Sequence, residues 1–489
     1  MARTTTTFER ILPPRDRETP AYRWLYAALR DEILEGRLRP GARLPGTRDL
    51  AAQYGLARGT IVSAFEQLKS EGYVDGSVGS GTYVSRVLPD ELLKAPRSQP
   101  LVHMPPKRQL SNYAKRLPAA SPVNASAPRA FRTDIPAIDL FPTTLWTQIA
   151  SRRLRRLSAS MLLGSDPLGY KPLRIAIADY LTASRGVKCD AAQIAVISGV
   201  QDALDLVARL ALDRGDRVCM EDPGYQGAAA IFESAGAKVC AVPLDDQGMR
   251  VPGAKLRGAR LIYVTPGHQF PMGVTMTLAR RLELLEWARG AGALIFEDDY
   301  DSEYRYSARP VPSLQGLDPD GQVLFFGTFS KVLFPSLRIA YLVIPHDLVD
   351  RFAAVLAMTR RHAPLLDQAV LSDFIAEGHF GRHLRRMRQI YAERLAVLLD
   401  HARRRLVGLL EVSDIEAGLQ TTGWLRNGIS ARDAAHAALA RGVEVTPLSG
   451  YARRPMPREG LQLGFAAVDA REIGRGVREL AIALDSMCG

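Results

Sequence analysis

The most informative stretch of this chain is Gly327-Thr-Phe-Ser-Lys-Val-Leu-Phe-Pro-Ser-Leu-Arg338. Lys331 follows two hydroxyl side chains, Thr328 and Ser330, and Arg338 adds a fixed positive charge a short loop later. Together these groups could hold a phosphate dianion beside an amine. A lysine takes up an aldehyde as a Schiff base only where something fixes that aldehyde next to it. The alternative interpretation is a surface lysine in a turn that is rich in Ser and Thr.

The region from about Ile138 onward alternates between strand and helix patterns. Helices such as 203–212 and 278–290 separate short, nearly continuous apolar runs, which predicts a buried and mostly parallel sheet in an α/β domain. Ligands of such sheets bind at the carboxyl ends of the strands. The strand candidates are Gln193-Ile-Ala-Val-Ile, Arg217-Val-Cys-Met, Arg260-Leu-Ile-Tyr-Val, Ala293-Leu-Ile-Phe and Gln322-Val-Leu-Phe-Phe.

Polar and aromatic residues follow four of these strands. Ser198-Gly-Val-Gln201 opens a helix, and amides at a helix N-terminus can hold a phosphate. Glu221-Asp-Pro-Gly-Tyr225 offers a tyrosine that could stack on a flat ring or merely pack in a turn. Thr265-Pro-Gly-His268 carries a histidine of a kind that is more often structural than catalytic. Glu297-Asp-Asp-Tyr300 brings a carboxylate that could pair with a protonated ring nitrogen of a cofactor.

The N-terminal region predicts a separate small domain of three helices and a hairpin. Apolar residues recur at helical spacing from Tyr22 to Ile33, and Gly36 ends that helix. Two further helices flank a glycine turn at Gly55, an arrangement typical of a helix-turn-helix. Residues 73–84 indicate two short strands around a glycine-rich turn, which form a wing.

Four ordered motifs in this region are similar to the winged helix-turn-helix of GntR-type repressors: Leu44-Pro-Gly-Thr-Arg-Asp-Leu-Ala, Ala57-Arg-Gly-Thr-Ile-Val, Glu71-Gly-Tyr and Gly79-Ser-Gly-Thr-Tyr-Val. The resemblance places Arg48, Arg58 and Thr60 at positions that contact DNA phosphates or bases, and Gly79 near the minor groove. Physical reasoning agrees for Arg58, because the start of the second helix of such a motif faces the major groove. A domain that mediates only protein contacts is the alternative.

Length, charge and composition limit the domain organisation and the class of protein. A chain of 489 residues needs more than one core, and we predict domains at 15–85 and 135–489 joined by a Pro/Ala/Ser-rich linker at 86–134. The net charge is +12, and the basic excess is densest in that linker, which is either a solvated tether or presses on DNA phosphates. Four scattered cysteines suggest neither a metal site nor disulfides, and no stretch is apolar enough to span a membrane, so we expect a cytoplasmic protein.

The segments of the larger domain, in this order behind a winged domain, resemble the aminotransferase-like half of MocR-type regulators, a GntR subfamily. The resemblance covers roughly 138–485 and implies a fold-type I domain that binds pyridoxal 5'-phosphate (PLP), with a small C-terminal α+β domain. It implies that Lys331 forms the Schiff base, Asp298 pairs with the ring nitrogen, Tyr300 bonds the ring hydroxyl and Tyr225 stacks on the ring. It also implies a phosphate site formed by Val200, Gln201, Thr328, Ser330 and Arg338, and a head-to-tail homodimer.

This sequence departs from that pattern at Gln462, where aminotransferases usually carry an arginine that clamps the substrate carboxylate. A glutamine lacks that charge, although Arg453 or Arg454 could supply it. Further departures are Met272, Ala340 and Gln420.

These features predict a PLP-dependent regulator that binds a DNA operator and responds to an amino compound or to PLP itself. Transamination should then be weak or partial at most. The two alternatives are a working aminotransferase with a DNA-binding appendage and a cofactor-free scaffold for dimerisation.

Overall fold

The computed structural model describes residues 12–16, 19–77, 81–88, 109–118, 126–251, 258–306, 311–426 and 428–487. The chain forms two compact units, residues 1–108 and 109–489. None of the helices that the structure describes is both long enough and apolar enough to cross a membrane.

The smaller unit has the predicted three helices and hairpin. Its elements are α1 (Ala21–Leu34), α2 (Thr47–Tyr54), α3 (Arg58–Ser70), β1 (Val74–Ser77) and β2 (Gly81–Val84). Gly55 adopts a φ of 61° and so ends α2 in the left-handed conformation that favours glycine. One apolar face from each of α1 and α3 builds the core, which includes the buried Leu25, Leu29, Ile61, Phe65 and Leu68.

The larger unit alternates helices and strands. Its helices are α4 (Asn112–Arg116), α5 (Thr143–Arg155), α6 (Ala159–Leu163), α7 (Lys171–Arg185), α8 (Val200–Ala211), α9 (Gln226–Ala235), α10 (Leu278–Ala291), α11 (Leu314–Leu317), α12 (Val349–Thr359), α13 (Leu365–Ala376), α14 (His379–Arg405), α15 (Ala431–Ala440) and α16 (Ala470–Asp485). Its strands are β3 (Ile194–Ile197), β4 (Arg217–Asp222), β5 (Lys238–Asp245), β6 (Gly248–Met249), β7 (Ala259–Val264), β8 (Leu294–Asp299), β9 (Val323–Thr328), β10 (Ala340–Val343), β11 (Leu410–Val412), β12 (Gln420–Leu425), β13 (Thr446–Pro447) and β14 (Gly460–Gly464).

Eight strands form the main sheet in the order β3-β10-β9-β8-β7-β4-β5-β6. The strands β9, β8, β7, β4 and β5 are parallel to their neighbours in that series, which confirms the predicted mostly parallel sheet. Strand β10 is antiparallel to both β3 and β9, so β3 runs in the same direction as β9. The carboxyl ends of β3, β4, β7, β8 and β9 therefore lie at the same edge of the sheet.

A second sheet, β11-β12-β14-β13, is wholly antiparallel and forms the predicted small α+β part. The long helix α14 and the helices α15 and α16 contribute buried side chains to the core around it, among them Leu398, Ala434, Val477 and Leu480. These helices cover the face of β14 that carries Leu461 and Leu463. The opposite face of β14 carries Gln462.

The larger unit begins before residue 135, and the predicted linker at 86–134 is too long at its C-terminal end. Arg116 donates to the carbonyl of Ser234 at 2.8 Å, which ties α4 to the end of α9. Ala130 and Phe131 are fully buried in the core, and the carbonyl of Phe131 accepts from the amide of Gly464. Burial of these two apolar side chains fixes the segment 126–134 on the larger unit. The linker residues 89–108 and 119–125 lie outside the described residues.

Candidate functional site

Lys331 lies just beyond the carboxyl end of β9, at the shared edge of the main sheet. Its Nζ donates to the carboxylate Oδ1 of Asp134 at 2.7 Å and to the carbonyl of Asp134 at 3.0 Å. The side chains of both residues are partly exposed, at 27% for the lysine and 39% for the aspartate. An amine that ligands can reach is thus held in one position by a neighbouring carboxylate.

A candidate anion-binding cradle, formed by Gly199, the start of α8 and Arg338, lies at this edge. Gly199 precedes α8 with a φ of 148°, and a Cβ placed there would lie 3.1 Å from Nη2 of Arg338. The guanidinium of Arg338 therefore lies against the positive N-terminal end of α8, which begins with Val200 and Gln201. The backbone amide of Ser330 donates to Oγ1 of Thr328 at 3.1 Å. The structure thus places Arg338 beside the start of α8 and joins Thr328 to Ser330 by a hydrogen bond.

Asp298 provides the buried carboxylate of the site, at the end of β8. The hydroxyl of Tyr263 donates to Oδ2 of Asp298 at 2.6 Å. Oδ1 is buried and has no hydrogen-bond partner among the residues that the structure describes. Burial raises the pKa of Asp298 from 3.8 to about 7, despite the hydrogen bond from Tyr263 and the nearby charge of Lys331, which both lower it. An adjacent cation would restore the ionised form.

Two tyrosines and a histidine complete the neighbourhood. The side-chain amide of Gln201 donates to the hydroxyl of Tyr225 at 2.5 Å, which links the start of α8 to the loop before α9. The hydroxyl of Tyr300 lies 3.0 Å from Nδ1 of His268, and the same nitrogen lies 3.1 Å from both carboxylate oxygens of Asp301. His268 is only 3% exposed, and these contacts fix the position of its ring beside Tyr300.

The residues that depart from the aminotransferase pattern have the following surroundings. Gln462 is fully buried in β14, and both polar atoms of its side chain have no partner within the described parts of the chain. Arg453 forms an ion pair with Glu233, and Arg454 donates to the carbonyl of Ala241. The two arginines that could have replaced a charge at position 462 are therefore committed elsewhere. Gln420 accepts a hydrogen bond from the amide of Asp134 at 3.2 Å.

Sequence reasoning missed Asp134 as a site residue. The residue lies at the end of the predicted linker, and it adopts a φ of 68°, which is uncommon for a residue other than glycine. An acidic residue in that conformation just before Ile135-Pro136 was the available signal.

The smaller unit presents a separate candidate surface. Arg48 in α2 and Arg58 at the first turn of α3 are exposed, and Thr60 is partly exposed. Nε of Arg58 donates to Oγ1 of Thr47 at 3.4 Å, which brings the two helices of the motif together at this surface. Gly79 in the predicted wing turn lies outside the described residues.

Comparisons with known proteins identify both units. Residues 21–84 match the bacterial regulatory proteins of the gntR family, and residues 144–480 match aminotransferase class I and II. The chain is 40% identical to the probable rhizopine catabolism regulatory protein MocR of Rhizobium meliloti, over 95% of this chain and 94% of that protein. It is 32% identical to the HTH-type pyridoxine biosynthesis transcriptional regulator PdxR of Corynebacterium glutamicum, over 90% and 91% of the two chains.

The larger unit also resembles solved aminotransferases. One is LysN, the alpha-aminoadipate aminotransferase of Thermus thermophilus, complexed with N-(5'-phosphopyridoxyl)-L-leucine. It has a TM-score of 0.67 and 29% identity, over 73% of this chain and 92% of that one. The two matched families and the full-length relatives agree on one architecture. The chain belongs to the MocR-type transcriptional regulators of the GntR family, in which a winged helix-turn-helix unit and an aminotransferase-like unit share one polypeptide.

Proposed function

We propose that this regulator binds PLP at Lys331 and changes its affinity for a double-stranded DNA operator when an amino compound, or PLP itself, binds to the larger unit. One observation carries the proposal: a single chain combines exposed arginines in α2 and at the start of α3 with an amine and a buried carboxylate at one sheet edge. The DNA that such a regulator reads lies in the cytoplasm, where we expect the protein to act.

The donor set fits PLP. Oδ1 of Asp298 and Oγ of Ser330 are buried without a partner in the part of the chain that the structure describes. A buried polar atom that lacks a partner costs roughly 1–3 kcal/mol. A protonated ring nitrogen would satisfy the first atom, and a phosphate oxygen would satisfy the second. The phosphopyridoxyl compound in the related LysN supports the same assignment.

Each residue then has a distinct role. When bound, PLP supplies an aldehyde that a lysine amine can hold covalently and a ring that withdraws electrons. Lys331 would offer the amine, Asp298 would keep the ring nitrogen protonated, Tyr225 would cover the ring and Tyr300 would donate to the ring hydroxyl. The phosphate would be held by the backbone and side chains of Val200, Gln201, Thr328, Ser330 and Arg338.

A regulatory response requires a difference in affinity between two arrangements of the protein. A ligand at the Lys331 site shifts the population toward the arrangement that it binds better, and thereby changes the affinity for DNA. Coupling of this kind is typically worth about 1–3 kcal/mol, or roughly 5- to 150-fold in affinity.

We also propose a head-to-tail homodimer as the active form. Apolar side chains on helices α5 and α6 and on the turn between them support an interface on the larger unit. They are Leu154 at 52%, Leu157 at 40%, Leu162 at 74% and Leu163 at 89% exposure. Two copies would bring two winged units to two half-sites, as dimeric helix-turn-helix proteins do.

An active aminotransferase with an added DNA-binding unit is the second candidate. The pairing of an amine at Lys331 with a buried carboxylate at Asp298 favours it, because transamination needs both a base and an electron sink. Sustained multiple turnover of amino acids with a keto-acid acceptor would favour the enzyme. A change in DNA affinity without such turnover favours the regulator.

Replacing Gly199 with alanine should weaken the binding of PLP by about tenfold. A side chain there requires an unfavourable φ of 148° and places a Cβ against the guanidinium of Arg338, at a typical cost of about 1–3 kcal/mol. Gly290→Ala in α10 is the matched control, because a Cβ there meets no atom within 4 Å. Fluorescence titration with PLP measures both variants, and an affinity of Gly199→Ala equal to that of the control would contradict the cradle.

Replacing Arg58 with alanine should weaken specific DNA binding by roughly 1–3 kcal/mol if it contacts a base, and should relax the sequence preference there. The matched control is Lys69→Ala, an exposed basic residue in the last turn of the same helix. Gel shifts at fixed salt would use a DNA fragment that the wild-type, full-length protein selects from a random library. Equal affinities of the Arg58→Ala and Lys69→Ala variants would remove Arg58 from the interface.

A further inference from the structure

We propose that the ligand sensed at the Lys331 site is a primary amine without a carboxylate group, rather than an α-amino acid. The inference rests on the proposed function, in which Lys331 holds PLP and an amino compound binds beside it. It narrows that compound to one chemical class.

The first observation is the negative charge of Asp134 beside the reacting amine. Its carboxylate lies 2.7 Å from Nζ of Lys331, and its amide donates to Gln420, so side chain and backbone are both held in place. The charge of Asp134 acts across the site. Burial is the main cause of the raised pKa values of Tyr225, Tyr300 and Tyr451, and the charge of Asp134 raises them further. A second carboxylate, brought by an amino acid, would be repelled here.

The second observation is the neutral amide of Gln462. Gln462 is in register with Thr422 of β12 and Thr446 of β13. Gln420 lies two residues before Thr422 on the same strand, so its side chain is on the same face of the sheet as those of Thr422 and Gln462. Because Gln420 contacts Asp134, this face of the small sheet looks toward the Lys331 site.

The environment of Gln462 indicates what it would bind. Its side chain is fully buried, and neither polar atom has a partner in the described residues. The amide can both donate and accept hydrogen bonds with a neutral polar group. It cannot give a carboxylate the charge-assisted, bidentate pairing that an arginine gives.

The third observation is that the neighbouring arginines already have acidic or carbonyl partners. Arg453 pairs with Glu233, Arg454 contacts both Asp222 and the carbonyl of Ala241, and Arg132 lies 3.5 Å from Glu444. Arg338 lies at the start of α8, where the proposed phosphate binds. A ligand carboxylate would therefore have to break an existing pair. An ammonium group could instead share Asp134 with Lys331, because a carboxylate accepts several hydrogen bonds.

The test uses pairs of compounds that differ only by a carboxylate: 2-aminoethanol against serine, and 1,4-diaminobutane against ornithine. The full-length, PLP-loaded protein is titrated with each, and the visible absorption of the cofactor and the melting temperature are recorded, with free PLP as the blank. In at least one pair the amine should bind about tenfold or more tightly than its amino acid. Equal or tighter binding of both amino acids, or no response to any of the four compounds, would overturn the inference.

Two substitutions probe the cause. Gln462→Arg should raise the affinity for serine or ornithine by roughly 10- to 100-fold, while the charge-reversed control Gln462→Glu should not. If the arginine variant fails to fold, Asp134→Gly, which suits a φ of 68°, should also raise the amino-acid affinity. If every folded variant kept the wild-type ratio of affinities for the amine and its amino acid, the inference would be rejected. Absence of a cofactor absorption band in the wild type would instead reject the proposed PLP site.

Discussion

Replacing Lys331 with alanine is expected to abolish covalent attachment of PLP. Wild-type protein that is incubated with PLP and reduced with borohydride should carry the phosphopyridoxyl group on Lys331, and the variant should carry only background label. We expect this because the position of the amine decides which lysine reacts. The Nζ of Lys331 is held just beyond the carboxyl end of β9, near Asp298 and the candidate anion cradle. Peptide mapping by mass spectrometry locates the label.

The control for this experiment is Lys331→Arg. Arginine keeps a positive charge beside Asp134 but does not form the bond to the aldehyde, so loss of label in both variants excludes loss of the ion pair as the cause. The fold should survive both changes, because Asp134 is partly exposed and tolerates an unpaired charge. Wild-type amounts of label on Lys171 or Lys188, both exposed, in the alanine variant would contradict the assignment.

Replacing Asp298 with asparagine should stabilise the cofactor-free protein at alkaline pH and at the same time destroy tight PLP binding. Burial raises the pKa of Asp298 to about 7 in the folded chain, so above that pH the folded state holds a buried charge. Asparagine removes that charge and still accepts the hydrogen bond from Tyr263. The expected gain at pH 8 is on the order of 1–4 kcal/mol.

The pH dependence has a definite sign. The unfolded carboxyl releases its proton near pH 4, whereas the folded one keeps it until about pH 7, so the contribution of Asp298 to stability is lost as the pH rises through 7. Burial also raises the pKa values of Glu221, Glu297 and Glu303 to about 7. These residues are present in both the wild type and Asp298→Asn, so their effects on the difference in stability largely cancel. The advantage of Asp298→Asn in thermal melts should therefore grow between pH 5.5 and 8. A constant or shrinking advantage would mean that Asp298 is already ionised in the folded chain.

Much of the fold follows from local sequence signals. Five apolar runs, each followed by polar residues, predicted five strands that end at the same edge, because buried parallel strands are apolar throughout. Three strands of the main sheet escaped prediction: Lys238–Asp245, Gly248–Met249 and Ala340–Val343. Ala340–Val343 is antiparallel to both neighbours, and its four apolar residues follow directly after the Lys331 loop. Lys238–Asp245 mixes partly exposed and polar residues because it lies near the sheet edge.

The sequence suggests candidate site residues only where a single residue in its motif indicates a chemistry. Lys331 and Asp298 carry such signals. Asp134 did not, because its position depends on the burial of Phe131 three residues earlier and on a φ of 68° that no pattern encodes. The ion-pair and hydrogen-bond partners of Arg453 and Arg454 likewise lie more than two hundred positions away in the sequence. Long-range packing therefore decided which charges were left for a ligand.

The most direct test of the central claim measures DNA affinity and ligand occupancy in the same full-length protein. A DNA fragment that the wild type selects from a random library is titrated at fixed salt with cofactor-free protein, with PLP-loaded protein and with PLP-loaded protein plus 1,4-diaminobutane or 2-aminoethanol. We expect the affinity to change by roughly 5- to 150-fold between at least two of these states, and to change little in Lys331→Ala. Identical affinities in all states, together with sustained production of keto acids from amino acids, would show that the larger unit is an enzyme and not a sensor.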